Sequence, residues 1–402
     1  MAIFNPKDPR MVCLEVAIHT WVLKFSGIVD SKWSTKPTPE EVAAGKSDPW
    51  LEFRALYYKA DRQHLNDLEW TKFKNLLTEL SQTVLRAGDV IIATAVQGET
   101  DLLKDIKFEQ VIMDEISVAT HAELLCCWRE TEVLTIIGDG KQLPATVLTT
   151  AAQNPFVNVQ RFSELGMSVF LLREVMRMSA GLEDVANTVF YDSKLICGPG
   201  TSLNDPKRAM SRRLRPFIQK TFPKLTPKPE GLTYPIFFDV RGKCVKEKSG
   251  SSRVNFHNVS FVIGLIKKLL SEKKLRVRSS KIGIACPYAA QRRETRKGLS
   301  RVGIKGIRVG RSEFWQGKEA AVMIVDFVRA GNDNGSLGFL VKKERLNVLL
   351  SRQQQQLFVV GDITCCDADF AAALNPSLEA SDPTTAIADP LADDRINYQR
   401  YY

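Results

Sequence analysis

The sequence predicts an α/β fold with parallel sheets whose strands are buried on both faces. Three observations carry this expectation. First, six short apolar runs recur along the chain: Val90–Ala93, Val111–Met113, Val133–Ile137, Ile282–Ala285, Val322–Val325 and Leu357–Val360. Continuous runs of this length, rich in β-branched residues, suit strands covered on both sides. Second, helical stretches separate several of them, as at Val259–Leu270, which gives the βαβ rhythm of a doubly wound fold. Third, 402 residues are too many for one ordinary core, so two or three domains are expected.

The elements follow in order. Leu14, Val16, Ile18, Trp21, Val22 and Leu23 form an apolar stretch that reads as a helix, and a Pro/Glu/Gly/Ser-rich loop runs from Ser34 to Trp50. Residues 64–86 read as a helix, because Leu65, Leu68, Phe73, Leu76, Leu77, Leu80 and Val84 recur at steps that line one face. Gly88 just beyond fits a helix stop. From Lys207 to Lys228 there are eight Lys or Arg, no acidic residue and several prolines. This segment reads as a basic loop or insertion, open to two interpretations: a contact for polyanions or a solvated surface. The tail after Pro376 is rich in Asp, Ala, Pro and Thr and is expected to be disordered.

Composition narrows the function class. Lys and Arg number 56 against 46 Asp and Glu, a net charge of +10 that favours polyanionic partners. The hydrophobic fraction of 44% and charged fraction of 25% are those of a globular chain. The 8 cysteines include the adjacent pairs Cys126–Cys127 and Cys365–Cys366, but no C-x-x-C spacing occurs. Zinc binding is therefore not expected, and the thiols read as buried in a reducing compartment. No signal pattern or membrane-length apolar run is seen, so no membrane partner is expected and the location is expected to be cytoplasmic or nuclear.

Several residues are placed where phosphate chemistry would use them. Asp114 and Glu115 end the strand Val111–Met113, and carboxylates at the carboxyl end of a parallel strand suit a nucleotide site. One would hold magnesium and the next would orient the attacking water. The turn Gly138–Pro144 follows the next strand; its Gln142 can hydrogen-bond a phosphate or a water. Arg177 and Arg352 are candidates to neutralise a transferring phosphoryl group.

Together these residues form an ordered series. Asp114-Glu115 and Gly138-Asp139-x-x-Gln142-Leu143-Pro144 come first, then Arg177-Met178 with Asn187, Phe190-Tyr191 and Leu195. Cys286-Pro287-Tyr288-x-x-Gln291, Phe314-x-Gln316-Gly317-x-Glu319 and Gly338-Phe339 leading to Arg345-Leu346-Asn347-Val348 complete it. From about residue 87 to 362 the chain resembles the superfamily 1 helicases related to the nonsense-mediated-decay helicase. The resemblance implies two RecA-like P-loop NTPase lobes and an ATP- and Mg2+-dependent helicase acting on single-stranded RNA or DNA. It implies that Asp114 is the magnesium carboxylate, Glu115 the catalytic carboxylate and Gln142 the γ-phosphate sensor. Arg177 and Arg352 would be the arginines pointed at the phosphates. Gly138, Asp139, Gln316, Gly317, Glu319 and Arg345 would line the nucleotide.

The departures are specific. The family's Q-Y-R-M reads Val175-Met176-Arg177-Met178, and Ile116 puts a bulky side chain beside the carboxylates. The closing motif reads Leu349-Leu350-Ser351-Arg352-Gln353 and opens a run of four glutamines, Gln353 to Gln356. The family's S-x-x-N-x-x-E becomes Ser252-x-x-Asn255-x-x-Asn258, without the carboxylate. No G-x-x-x-x-G-K-[ST] occurs; Gly45-Lys46-Ser47 is the nearest fragment, with Glu40 where the first glycine would stand. The expected organisation is a first lobe over 1–170, incomplete before the phosphate loop and carrying a helical insertion, a second lobe over 171–375 and a tail over 376–402. The expected function is that of a helicase fragment or degenerate member, and the alternative is a non-catalytic nucleic-acid-binding or scaffold protein.

Overall fold

The computed structural model describes residues 18–28, 48–128, 131–144, 162, 166–223, 229–233, 235–240, 242–248, 250–331, 337–366 and 370. The expected tail, the Gly45-Lys46-Ser47 fragment and most of the loop from Ser34 lie outside them. The chain divides into two compact units, one of residues 1–138 with 147–157 and one of residues 139–146 with 158–402. The sequence predicts a junction near residue 170; in the structure the described residues 139–144 already belong to the second unit.

Among the described residues the first unit opens with three helices: α1 (Ile18–Phe25), α2 (Pro49–Arg62) and α3 (Asp67–Arg86). Helix α2 begins inside the stretch read as loop, because Asp48 caps the Trp50 amide and Pro49 takes the first helical position. Helix α3 begins with a reciprocal capping box between Asn66 and Glu69. Val22, Phe53, Leu65, Phe73, Leu76 and Leu80 form their shared core, with the Phe53 and Phe73 rings stacked at 5.1 Å. Leu68 does not join it and is 84% exposed. Five residues before Phe73 is well off the face that steps of three and four define.

Beyond the helices the first unit holds β1 (Gln110–Met113), α4 (His121–Cys127) and β2 (Val133–Ile136). The strands pair in parallel, Ile112 opposite Thr135. Val90–Ala93 is not a strand: Val90 is 81% and Ile92 93% exposed. The expectation of strands buried on both faces also fails for β1 and β2, most of whose residues are exposed or half-buried. Apolar composition creates the tendency to extend, but burial needs a layer on each face.

The second unit supplies those layers. Its early elements are β3 (Glu174–Val175), α5 (Asp184–Phe190), β4 (Ile196–Cys197) and α6 (Ala209–Thr221). The run expected to be a basic loop is therefore helical over much of its length, although residues 224–228 lie outside the described set. Several of its cations serve internal bonds. Arg208 is 5% exposed and donates to the carbonyls of Met176, Arg177, Gly200 and Gln354. Arg213 donates to Leu275.

Next come β5 (Ile236–Asp239), the hairpin β6 (Cys244–Lys246) and β7 (Arg253–Asn255), α7 (Phe256–Ser271), β8 (Ile282–Ala285) and α8 (Ala289–Arg301). The last elements are β9 (Arg308–Gly310), the single turn α9 (Ser312–Trp315), β10 (Ala320–Asp326), α10 (Lys343–Leu350) and β11 (Gln353–Gly361). Five strands form one all-parallel sheet in the order β5-β11-β10-β8-β9. Successive side chains alternate between two cores. Met323, Val325, Leu357 and Val359 face one, and Val322, Ile324, Phe358 and Val360 face the other. Both faces are thus dry, as the sequence predicted for this sheet.

Candidate nucleotide site

In the first unit, β1 ends where Asp114 and Glu115 begin. Asp114 is exposed, and its Oδ1 accepts the Glu115 amide at 2.9 Å. Glu115 sits at φ 55°, in the left-handed region that disfavours a side chain. Such strain is characteristic of functional positions. Ile116 does not crowd the carboxylates; it is fully buried, and a Cβ at Gly138 would come within 2.7 Å of its Cγ2. Gly138 therefore has a packing reason to be glycine. Ile116 and Ile137 are tied by a backbone hydrogen bond of 3.0 Å, which fixes the exits of β1 and β2 side by side.

In the second unit, the turn after β2 is anchored by Leu143, which is buried in the core beside Met178, Leu182 and Leu346. Gln142 Oε1 accepts from Arg352 Nη2 at 2.6 Å, and Gln142 Nε2 donates to Asp139 Oδ2 at 2.9 Å. Arg352 is 1% exposed; its Nε donates to the Val348 carbonyl at 2.9 Å. A guanidinium this deeply buried needs polar partners, and the backbone of α10 and Gln142 provide them.

Arg177 and Glu319 meet beside this group. Arg177 Nε lies 3.1 Å from Glu319 Oε2, and Arg177 Nη1 donates to the Ser351 carbonyl at 3.0 Å. The Ala320 amide donates to the Arg352 carbonyl at 3.0 Å. Arg177, Glu319, Arg352, Asp139 and Gln142 thus gather at the amino ends of β10 and β11. Gln316 and Gly317 form the turn before β10, where φ 67° at Gly317 requires glycine. Trp315, not Phe314, fills the core: Trp315 is fully buried and Phe314 is 36% exposed. Gln316 Nε2 is buried and has no hydrogen-bond partner among the described residues. Arg345 Nε lies 3.7 Å from Glu313 of α9.

Sequence reasoning missed two polar clusters. One surrounds Tyr191 and Asn347. The Tyr191 hydroxyl donates to Asp139 Oδ2 at 2.5 Å and accepts from Asn347 Nδ2 at 2.8 Å. Burial and the neighbouring Asp139 charge push the Tyr191 phenol well above its ordinary value, so it stays a neutral donor. The other lies at the carboxyl end of β10, where Asp326 is 1% exposed. Its carboxylate accepts from Asn258 Nδ2 and Gln291 Nε2, both at 2.7 Å, and from the Val328 amide at 3.0 Å. Asn258, read as a lost carboxylate, is thus the partner of a carboxylate supplied by the strand. A signal existed: Asp326 follows an apolar run just as Asp114 follows Val111–Met113.

The glutamine run is equally functional as structure. Gln353 Nε2 donates to Leu350 and Leu182, and Gln355 Nε2 to Lys207. Gln355 Oε1 accepts from the Ser211 amide. These side chains let a polar segment enter a buried strand.

Comparison with known proteins decides the family. A family model described as an AAA domain matches residues 157–364, slightly more than half of the chain, and a second AAA-domain model matches residues 52–150. The chain belongs to the superfamily 1 helicases. Within that superfamily it groups with the nonsense-mediated-decay type. Helicase SEN1 of Saccharomyces cerevisiae is 29% identical over 69% of this chain. An uncharacterized ATP-dependent helicase of Methanocaldococcus jannaschii is 26% identical over 83% of it. A regulator of nonsense transcripts 1 homolog of Neurospora crassa is 25% identical over 76% of it. The chain spans 12%, 46% and 27% of those three proteins, respectively. Among the described residues of this member of the superfamily no helix is long and apolar enough to cross a membrane.

Proposed function

We propose that this chain is a helicase-family module that binds MgATP and single-stranded nucleic acid but does not by itself turn ATP over. The observation that carries the reading is the buried Arg352 guanidinium held against Gln142, with Arg177 and Glu319 beside it. A buried guanidinium held in a fixed orientation is prepared for an anion, and a phosphate there would meet charge without reorganisation. The donor chemistry also suits magnesium. Mg2+ is commonly held by one or two carboxylates together with substrate phosphates, so the exposed Asp114 suffices without a cluster of ligands. Magnesium would neutralise charge on the phosphates. On the first unit Glu115 would orient a water, with Gly138 packed against the adjacent Ile116. On the second unit Gln142 and Arg352 would read a phosphate, and Asp139, Gln316, Gly317, Glu319 and Arg345 complete the proposed lining there.

What the 402 residues do not contain is the glycine-rich loop and lysine whose backbone amides cradle the β- and γ-phosphates. Removing one preorganised donor typically lowers rate by about 10²–10³, and here a nest of them is missing. The net charge of +10 supports a nucleic-acid partner. Two titrations test the reading. A fluorescent MgATP analogue should bind the wild-type chain and lose affinity on Arg352→Ala. A labelled single strand should bind with an affinity that falls with salt, each phosphate contact adding about −0.7 to the logarithmic slope. Failure of both ligands to bind at low salt refutes the proposal. Binding of the strand alone would favour a non-catalytic nucleic-acid-binding role.

A further inference from the structure

We infer that Tyr191 and Asn347 are positioning residues that orient the Gln142 amide on Arg352, and so set how well the site distinguishes ATP from ADP. The second half of this statement rests on the nucleotide reading above; the first rests on geometry alone.

An amide side chain presents a donor at one end and an acceptor at the other, and only its surroundings decide which way it points. At Gln142 the acceptor must face Arg352, because a guanidinium has only donors to offer. That orientation holds only if the other end finds an acceptor, which Asp139 Oδ2 supplies at 2.9 Å. Asp139 is in turn held at both oxygens. Its Oδ1 accepts the Lys141 amide at 2.9 Å, and its Oδ2 accepts the Tyr191 hydroxyl at 2.5 Å.

The phenol can donate in this direction because Asn347 Nδ2 occupies its lone pair at 2.8 Å. The same Asn347 nitrogen donates to the Lys141 carbonyl at 2.9 Å, so one amide holds both the turn's backbone and the phenol that donates to its carboxylate. A continuous relay therefore runs from Asn347 through Tyr191 and Asp139 to Gln142 and Arg352. All five residues belong to the second unit. Asn347 sits on α10 and Tyr191 just after α5, both packed on the core that buries Leu143. The relay thus references the turn to two helices of the fold. Neither Tyr191 nor Asn347 needs to touch a nucleotide to act.

Tyr191→Phe tests this, since it removes one hydroxyl and keeps the ring. Two readouts are taken on the full chain. The first is hydrogen exchange at the Lys141 and Gln142 amides, which are bonded to Asp139 at 2.9 and 3.0 Å. Loss of a typical hydrogen bond should speed it about fivefold, with β10 exchange unchanged as evidence of an intact fold. The second is the ratio of affinities for fluorescent MgATP and MgADP analogues, which should fall by a similar factor, about fivefold. Asn347→Ala should act in the same direction, and Tyr191→Phe with Asn347→Ala should exceed neither single change by much, because both cut one relay. Unchanged exchange in both variants overturns the inference. So does faster exchange with an unaltered ATP-to-ADP ratio in a chain that binds both nucleotides. If the wild-type chain binds neither nucleotide, the nucleotide reading fails, and the exchange data alone decide whether Tyr191 and Asn347 hold Gln142.

Discussion

The apolar runs in β1 and β2 of the first unit resemble those in β10 and β11 of the second, yet they end in different states. Ile112 is 61% and Val133 51% exposed, whereas Ile324 and Val359 are fully buried. The second sheet has five strands and a core on each face, so every apolar residue finds cover. The β1–β2 sheet has two strands among the described residues. An apolar β-branched run therefore favours an extended backbone; whether it pairs, as Val90–Ala93 does not among the described residues, and whether it is buried depend on neighbours that the run does not encode.

The largest expected effect tests that contrast directly. Phe358 is fully buried and packs on Phe238 with centroids 5.9 Å apart. Phe358→Ala should cost about 3–5 kcal/mol, while Ile112→Ala in the exposed sheet should change stability by about 0.5 kcal/mol or less. Chemical denaturation of the two variants measures both. Equal losses would mean that the two sheets do not differ as described.

The next effect concerns a carboxylate that only the second unit could bury. Asp326 is raised to about 6, chiefly by burial, with the bonds from Asn258, Gln291 and Val328 acting in the opposite direction. The folded protein then holds this proton more tightly than the unfolded chain does. Its contribution is fully present below about pH 4, the unfolded value, and is lost as pH rises through about 6. The span corresponds to something on the order of 2–3 kcal/mol. Asp326→Asn should flatten this part of the stability profile between those pH values. An identical slope in the variant would mean that Asp326 titrates normally.

These two regions also mark how far the sequence could be read. Strands β5 and β9 excepted, the second sheet was legible because its runs Ile282–Ala285, Val322–Val325 and Leu357–Val360 are apolar throughout and separated by helix. Arg352, Gln142 and Glu319 were legible as residue types in order, since they stand in recognisable company; their role at a nucleotide is what we propose. Three things were not. Val90–Ala93 has strand composition but no pairing partner among the described residues. The run from Lys207 looked like a loop because its charges suggested solvent, yet Arg208 spends its guanidinium on four carbonyls. Tyr191, Asn347 and Asp326 act through partners about 30 to 160 positions away in sequence, which no local pattern announces.

A smaller effect sharpens the comparison within the first unit. Glu115 occupies the left-handed region, whereas its neighbour Asp114 does not. Glu115→Gly should therefore stabilise by about 0.5 kcal/mol, and Asp114→Gly should destabilise by a similar amount. Paired thermal melts report the sign. Destabilisation by both would remove backbone strain from the account of this position.

We propose that the second unit presents a preorganised phosphate-reading group and that the chain needs a phosphate loop for turnover. The most direct measurement is ATPase activity, in the presence of single-stranded nucleic acid, for three proteins. They are the chain itself, a chimera carrying a family-type strand, G-x-x-x-x-G-K-[ST] loop and helix ahead of residue 1, and that chimera with Arg352→Ala. The account predicts no turnover by the chain, measurable turnover by the chimera and a loss of about 10³-fold or more on removing Arg352. Robust hydrolysis by the chain alone, or a chimera indifferent to Arg352, would contradict it.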